Sequence, residues 1–268
     1  MNIQKTGITI LLLLILSISY IGCGSGGGNK LSTLPSYELF KLGKQKYDEE
    51  KYLKALDYFQ ALVYNYPGES IVDTAQYYLA LSYFGQEEYD LAQVEFNRLV
   101  LNYPASVFFE NSIFMKAVCF YEGTPTHFGL DQSDLKIAIK QFEDFIIDYP
   151  ESEVIPDVQK YLKEAKTRLA HKDYNSGVTY VRIGTYKAAE IYFQRVVDNY
   201  TNTEYGPLAT YGLAEVEFKL KKFDEAKSKF QDFTIVYPEH ELIPKAQEYI
   251  EKSALKSGIK AFEANEFT

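Results

Sequence analysis

Few residues of this chain have the type and spacing for chemistry. Three histidines, His127, His171 and His240, stand far apart in sequence, and none has a metal-ligand partner at useful spacing. No glycine-rich motif could cradle a phosphate. Cys119 lies in an apolar stretch from Met115 to Tyr121 and reads as a small buried hydrophobe, not a nucleophile. The acids are scattered, and no nucleophile–base pair can be assembled from them. The residue types that do recur at fixed spacing are aromatic: 24 Tyr and 18 Phe, with no Trp. The chemistry expected of them is recognition of another polypeptide, without catalysis and without a cofactor.

Five copies of one template carry these rings. Tyr-Pro occurs at 66–67, 103–104, 149–150 and 237–238, and Tyr200-Thr201 is the fifth copy. An Ala lies 11 residues before each Tyr (Ala55, Ala92, Ala138, Ala189, Ala226) and a Phe lies 7 before it (Phe59, Phe96, Phe142, Phe193, Phe230). A small residue precedes the Ala by 12 in the uninterrupted copies: Gly43, Ala80, Gly177 and Ala214. Ala to Phe is an i,i+4 step, which places both on one helix face. The small residues admit a close helix–helix approach, and Pro stops the second helix. Each copy is therefore a pair of antiparallel helices that cannot bury its apolar face alone, so the copies must stack. The fold expected is all-α, a solenoid of about five helix pairs with a terminal half repeat. The pattern resembles the tetratricopeptide repeat and covers roughly residues 36–268.

The interval breaks twice. Between Tyr103 and Tyr149 the extra residues contain Gly123, Pro125 and Gly129 and read as a loop. Between Tyr149 and Tyr200 fourteen extra residues fall in 154–176 and read as a lengthened helix; two heptads keep its buried stripe on nearly the same side. That helix carries Lys160, Lys163, Lys166, Arg168, His171 and Lys172, either a solvated face or a contact for an acidic partner or lipid head groups. Near the end, Gly258, Phe262 and Phe267 repeat the spacing of Gly43, Tyr47 and Tyr52. This predicts the first helix of a sixth unit, which either caps the stack or docks a partner.

Seven residues apart on each first helix stand Phe40 and Tyr47, Tyr77 and Phe84, Phe114 and Tyr121, Tyr174 and Val181, Tyr211 and Phe218. Nine of these ten are aromatic. Two readings stand open: an aromatic ladder lining a concave groove that grips an extended chain, or rings packed against the next unit.

Ahead of the repeats, Lys5 and the apolar run Ile8 to Ile21 read as a secretory signal over residues 1–22, short for a spanning helix. Gly22-Cys23 resembles a bacterial lipoprotein cleavage site, with Tyr20 standing where such sites usually carry Leu. The resemblance implies a covalent lipid on Cys23. Residues 23–36 are a Gly- and Ser-rich tether that spans roughly 20 Å as a coil; residues 37–268 form the solenoid. No Asp follows the Cys, which favours the periplasmic face of the outer membrane. The formal charge is −9, near −10 without residues 1–22, and there is no long basic run, which argues against nucleic acid.

Three stretches go beyond a generic repeat. They are the loop motif from Asp131 to Asp134, the run from Phe142 to Ala170, and the run from Asp173 to Tyr205 with Leu169, Ala170, Tyr174, Gly184, Tyr186, Ala188 and Ala189. Together they resemble the BamD family of outer-membrane assembly lipoproteins. The family usually has Arg before Asp-Gln, where this chain has Leu130, and Tyr-Pro or Phe-Pro where it has Tyr200-Thr201. The resemblance implies a scaffold in the β-barrel assembly machinery. It implies two partners: the periplasmic domain of the barrel subunit, held by the C-terminal repeats, and unfolded β-barrel substrates. Arg195 falls where the family carries an Arg near its partner-binding repeats, and Phe262 and Phe267 join it as docking candidates. Another envelope tetratricopeptide adaptor, such as a Tol-Pal-associated coordinator, and a nutrient-capture lipoprotein are the competing readings.

Overall fold

The computed structural model describes residues 31–266, and side chains as far as residue 263. The expected signal segment, Cys23 and Phe267 lie outside the described residues. Among the described residues, eleven α-helices run in order. They are α1 (Ser36–Asp48), α2 (Tyr52–Asn65), α3 (Val72–Gly85), α4 (Tyr89–Asn102), α5 (Phe109–Gly123) and α6 (Ser133–Asp148). Then come α7 (Ile155–Arg182), α8 (Tyr186–Asn199), α9 (Tyr205–Lys219), α10 (Phe223–Val236) and α11 (Ile243–Glu266). Each helix packs on the one before and the one after it, as an all-α tetratricopeptide solenoid requires.

The template residues form the core. Ala55, Ala92, Ala138, Ala189 and Ala226 are fully buried, and so, to within a few per cent, are Phe59, Phe96, Phe142, Phe193 and Phe230. Burial of such a ring stabilises by about 1.5–3 kcal/mol. The small residue opposite makes room for it. A Cβ on Gly43 would stand 2.9 Å from the Phe59 ring, and one on Gly177 2.5 Å from the Phe193 ring.

Two kinds of turn alternate along the stack. Within a unit, the first helix ends in a left-handed residue two before the second helix: Glu50 (φ 57°), Glu87 (φ 60°), Gly184 (φ 79°) and Lys221 (φ 59°). The amide after it reaches back to close the helix end, as Lys51 N donates to Lys46 O and Glu88 N to Tyr83 O. Between units, the Tyr carbonyl accepts from the residue three ahead, and that residue's carbonyl accepts from the next helix. Ser106 N donates to Tyr103 O, and Phe109 N to Ser106 O. The Tyr200-Thr201 turn keeps both bonds, and Thr203 Oγ1 adds a bond of 2.7 Å to Tyr200 O. Proline is therefore dispensable there.

The interruptions fold as their composition requires. Residues 124–132 form a loop before α6, and α7 is a single helix of 28 residues. Its first half packs on α6 and its second half on α8, through Val158, Ala165, Leu169, Asp173 and Gly177. The two extra heptads carry the fourth unit away from the third. They leave a cleft of about 400 Å3 between Leu162, Lys163 and Lys166 on one wall and the Asp198–Thr203 turn on the other. No helix among the described residues is long and apolar enough to cross a membrane.

Candidate functional site

The aromatic ladder is built into the seams between units. Phe40 packs on Phe59 and Tyr78, and Tyr47 on Tyr52 and Tyr78. Tyr77 packs on Phe96 and lies flat on Phe108 with centroids 4.4 Å apart. Phe84 meets Tyr89, Tyr121 meets Tyr161, Tyr174 meets Phe193 and Tyr205, and Phe218 meets Phe223 and Tyr249. These seven rings are half-buried, each with part of its surface free.

Phe114 and Tyr211 correct the groove expectation. They are 7% and 9% exposed and belong to the core. Phe114 is covered by Phe142 and Tyr161, and Tyr211 by Phe230, Phe233 and Tyr249. The covering rings share a position that pattern reading missed. Tyr78, Tyr161 and Tyr249 each follow the turn Tyr by twelve, and each lies over the buried Phe of the preceding unit at 16–30° to its plane. In the fifth unit that position is Gly212, and the Phe193 edge fills the space where its side chain would be. The twelve-residue interval was legible and marks the rings that cover the preceding unit, although Phe40 beneath Tyr78 stays half-buried.

Burial also fixes the ionisation of this layer. It pushes the Tyr47 hydroxyl up to about 12, with the rings and Asp48 around it adding to the shift. Tyr77, Tyr174 and Tyr211 are raised for the same reason. All stay neutral donors at physiological pH. The Cys119 thiol is pushed up to about 12 by burial, so the thiolate is not formed.

Arg195 lies on α8 with an exposed side chain, but one of its faces is occupied. Its Nη1 donates to Asp173 Oδ1 on α7 at 3.0 Å, and its guanidinium stands 5.0 Å from the Tyr192 ring centroid. Asp173 is buried, which raises its carboxyl; Arg195 opposes the shift. Phe262 is 65% exposed on the outer part of α11, beside Leu255 and Ile259.

The basic residues of α7 divide into two sets. Arg168 donates to the carbonyls of Tyr121, Thr124 and Pro125 at 3.2, 2.8 and 3.0 Å, and its guanidinium stands 4.8 Å from the Tyr121 centroid. Lys172 donates to Leu130 O at 3.1 Å, and the His171 ring meets Phe128 and Tyr205. Gln132, buried, donates to Pro125 O at 2.7 Å. These side chains hold the 124–132 loop. Lys166 pairs with Glu143 at 2.7 Å, while Lys160 and Lys163 face solvent. No group of three His, Cys, Asp or Glu among the described residues could hold a metal ion.

Comparison with known proteins places this arrangement. The profile of YfiO, described as an outer membrane lipoprotein, matches residues 33–211, and a tetratricopeptide profile matches 208–240. The outer membrane protein assembly factor BamD of Rickettsia prowazekii is 27% identical over 226 residues, covering 84% of this chain and 90% of that one. BamD of Caulobacter vibrioides is 24% identical over 228 residues, covering 83% of this chain and 73% of the other. A solved tetratricopeptide protein of Thermus thermophilus is similar over 82% of this chain and all of its own, at 16% identity and TM-score 0.36. With its first four repeats inside the matched region, the chain belongs to the YfiO family of outer membrane lipoproteins, a family its BamD-like repeats and loop had already suggested.

Proposed function

We propose that this chain is a lipid-anchored scaffold of the β-barrel assembly machinery, acting by binding at the periplasmic face of the outer membrane. The observation that carries the reading is the outer membrane lipoprotein profile, which spans the repeats from α1 into α9, together with relatives named for outer membrane protein assembly. A lipid on Cys23 and a tether over residues 23–36 would hold the solenoid close to the membrane. The free edges of Phe40, Tyr47, Tyr77, Phe84, Tyr121, Tyr174 and Phe218 offer apolar area with hydroxyls for backbone groups, which suits an unfolded β-barrel chain. Arg195 and the outer part of α11, with Phe262 and Phe267, are the docking positions for the barrel subunit's periplasmic domain.

The test is depletion of the chain in its own envelope. Loss of folded β-barrel proteins from the outer membrane, restored by the wild-type chain and not by Cys23→Ala, is the expected result. Unchanged barrel levels on depletion would remove the assembly role.

A further inference from the structure

The edge of the solenoid that carries the Tyr-Pro turns is furrowed. Between the turn at 67–70 and the turn at 102–106 lies a cleft of about 410 Å3, and between 104–107 and 152–154 another of about 490 Å3. They share Pro104, Ala105 and Ser106, so they form one furrow across the first three inter-unit turns. Its charged lining is Glu69, Asp73, Glu110 and Glu153; neither cleft is lined by a Lys or an Arg. Asp73 and Glu110 stand in the first turns of α3 and α5, where an acid complements the helix end. Glu69 and Glu153 lie in the turns and have no such task. None of the four forms an ion pair among the described residues, where an ion pair means a nitrogen–oxygen approach within 4.0 Å.

Apolar side chains are exposed at one repeated position near the helix ends. Two residues before the turn Tyr stand Tyr64, Leu101, Ile147 and Ile235, on the last turns of α2, α4, α6 and α10, all 62–75% exposed. The fourth unit has Asp198 there. Val107, in the turn between the two clefts, is 83% exposed. Arg98 on α4 reaches the Tyr64 hydroxyl on α2 at 3.3 Å. Single exposed apolar residues need no explanation, but Tyr64, Leu101 and Ile147 end the three helices that lead into the furrowed turns, and this recurrence marks a contact surface.

We propose that this furrow binds an extended segment of a partner protein in which Lys or Arg alternates with apolar residues. The cations would lie against the furrow acids and the apolar side chains against Val107 and these helix-end residues. An anionic membrane surface is disfavoured by the same acids. The surface is distinct from the first-helix rings and from α11, and the inference does not rest on the assembly role.

The test places a photo-crosslinking amino acid at Val107 in the full chain, in its native envelope, with Glu87 on the opposite edge as control position. Adducts are mapped by mass spectrometry. The expected result is an adduct from position 107 to one partner segment with an excess of Lys and Arg, reduced at least tenfold by Glu69→Lys combined with Glu153→Lys. Unchanged thermal unfolding of that double variant shows that the fold is kept. No adduct from position 107, an adduct to lipid, to a second copy or to a segment without basic excess, or an adduct that survives the charge reversal, overturns the proposal.

Discussion

Arg195 and Asp173 form an ion pair in which the carboxylate is buried and the guanidinium is not. The asymmetry sets what each substitution does. Arg195→Ala leaves a buried carboxylate without its partner and should cost about 3 kcal/mol in urea unfolding at pH 7. Asp173→Asn removes the buried charge and should restore most of that loss in the double variant. The pH dependence follows from the raised Asp173 carboxyl. A raised folded-state value means that the folded protein holds the proton more tightly, so this group's contribution to stability falls as pH rises through that value. Arg195 limits the fall. The penalty of Arg195→Ala should therefore be greatest at neutral pH and shrink once acid protonates Asp173. A penalty independent of pH, with no rescue by Asp173→Asn, would mean that Arg195 acts only outward, on a partner.

The left-handed turn residues offer an independent test. Glu50, Glu87 and Lys221 occupy a conformation that costs a side-chain-bearing residue about 1 kcal/mol, at the place where the fourth unit has Gly184. Glu87→Gly should stabilise by about 0.5 kcal/mol, the relief of strain being partly offset by the freer unfolded chain. Gly184→Ala should destabilise by about 1 kcal/mol. Thermal unfolding of the two variants should move in opposite directions.

These examples show what was legible in the sequence. Spacing alone located the helix pairs, the loop at 124–132 and the lengthened α7, because one buried Ala–Phe face recurs and a helix offers few ways to bury it. The seam rings were half legible. Phe114 and Tyr211 read as groove residues because a first helix has two apolar flanks, and spacing along one helix cannot say which flank the next unit covers. That answer lies in Tyr161 and Tyr249, 47 and 38 residues downstream. The task of Arg168 was hidden for a different reason: its partners are backbone carbonyls, which every sequence possesses.

Gly177 tests the close approach of α7 and α8. An added methyl would stand 2.5 Å from the Phe193 ring, and that ring is also held by Gly212 from the other side. The ring has no direction in which to yield. Gly177→Ala should cost about 2 kcal/mol despite the better helix propensity of Ala. Gly258→Ala, where an added methyl meets nothing within 4 Å, should instead stabilise by up to about 1 kcal/mol. Equal effects at the two glycines in urea unfolding would show that helix propensity, and not the Phe193 ring, decides both.

Arg168 is the residue on which the loop depends most. Its guanidinium serves three carbonyls that no other donor side chain reaches together, and it covers the Tyr121 ring. Arg168→Met keeps much of the aliphatic packing and removes the donors, leaving Gln132 and Lys172 as the remaining ties. A hydrogen bond from a charged group is worth about 1.5–3 kcal/mol, and part of the loss is recovered as freed carbonyls meet water. The expected outcome is a net destabilisation of about 2 kcal/mol confined to one place. Hydrogen exchange should quicken over residues 122–132 and stay unchanged in α1 to α4. Arg168→Lys should rescue little, because one ammonium cannot span the three carbonyls. Exchange that quickens along the whole solenoid would show that the loop is a support of the stack and not an appendage held in place by α7.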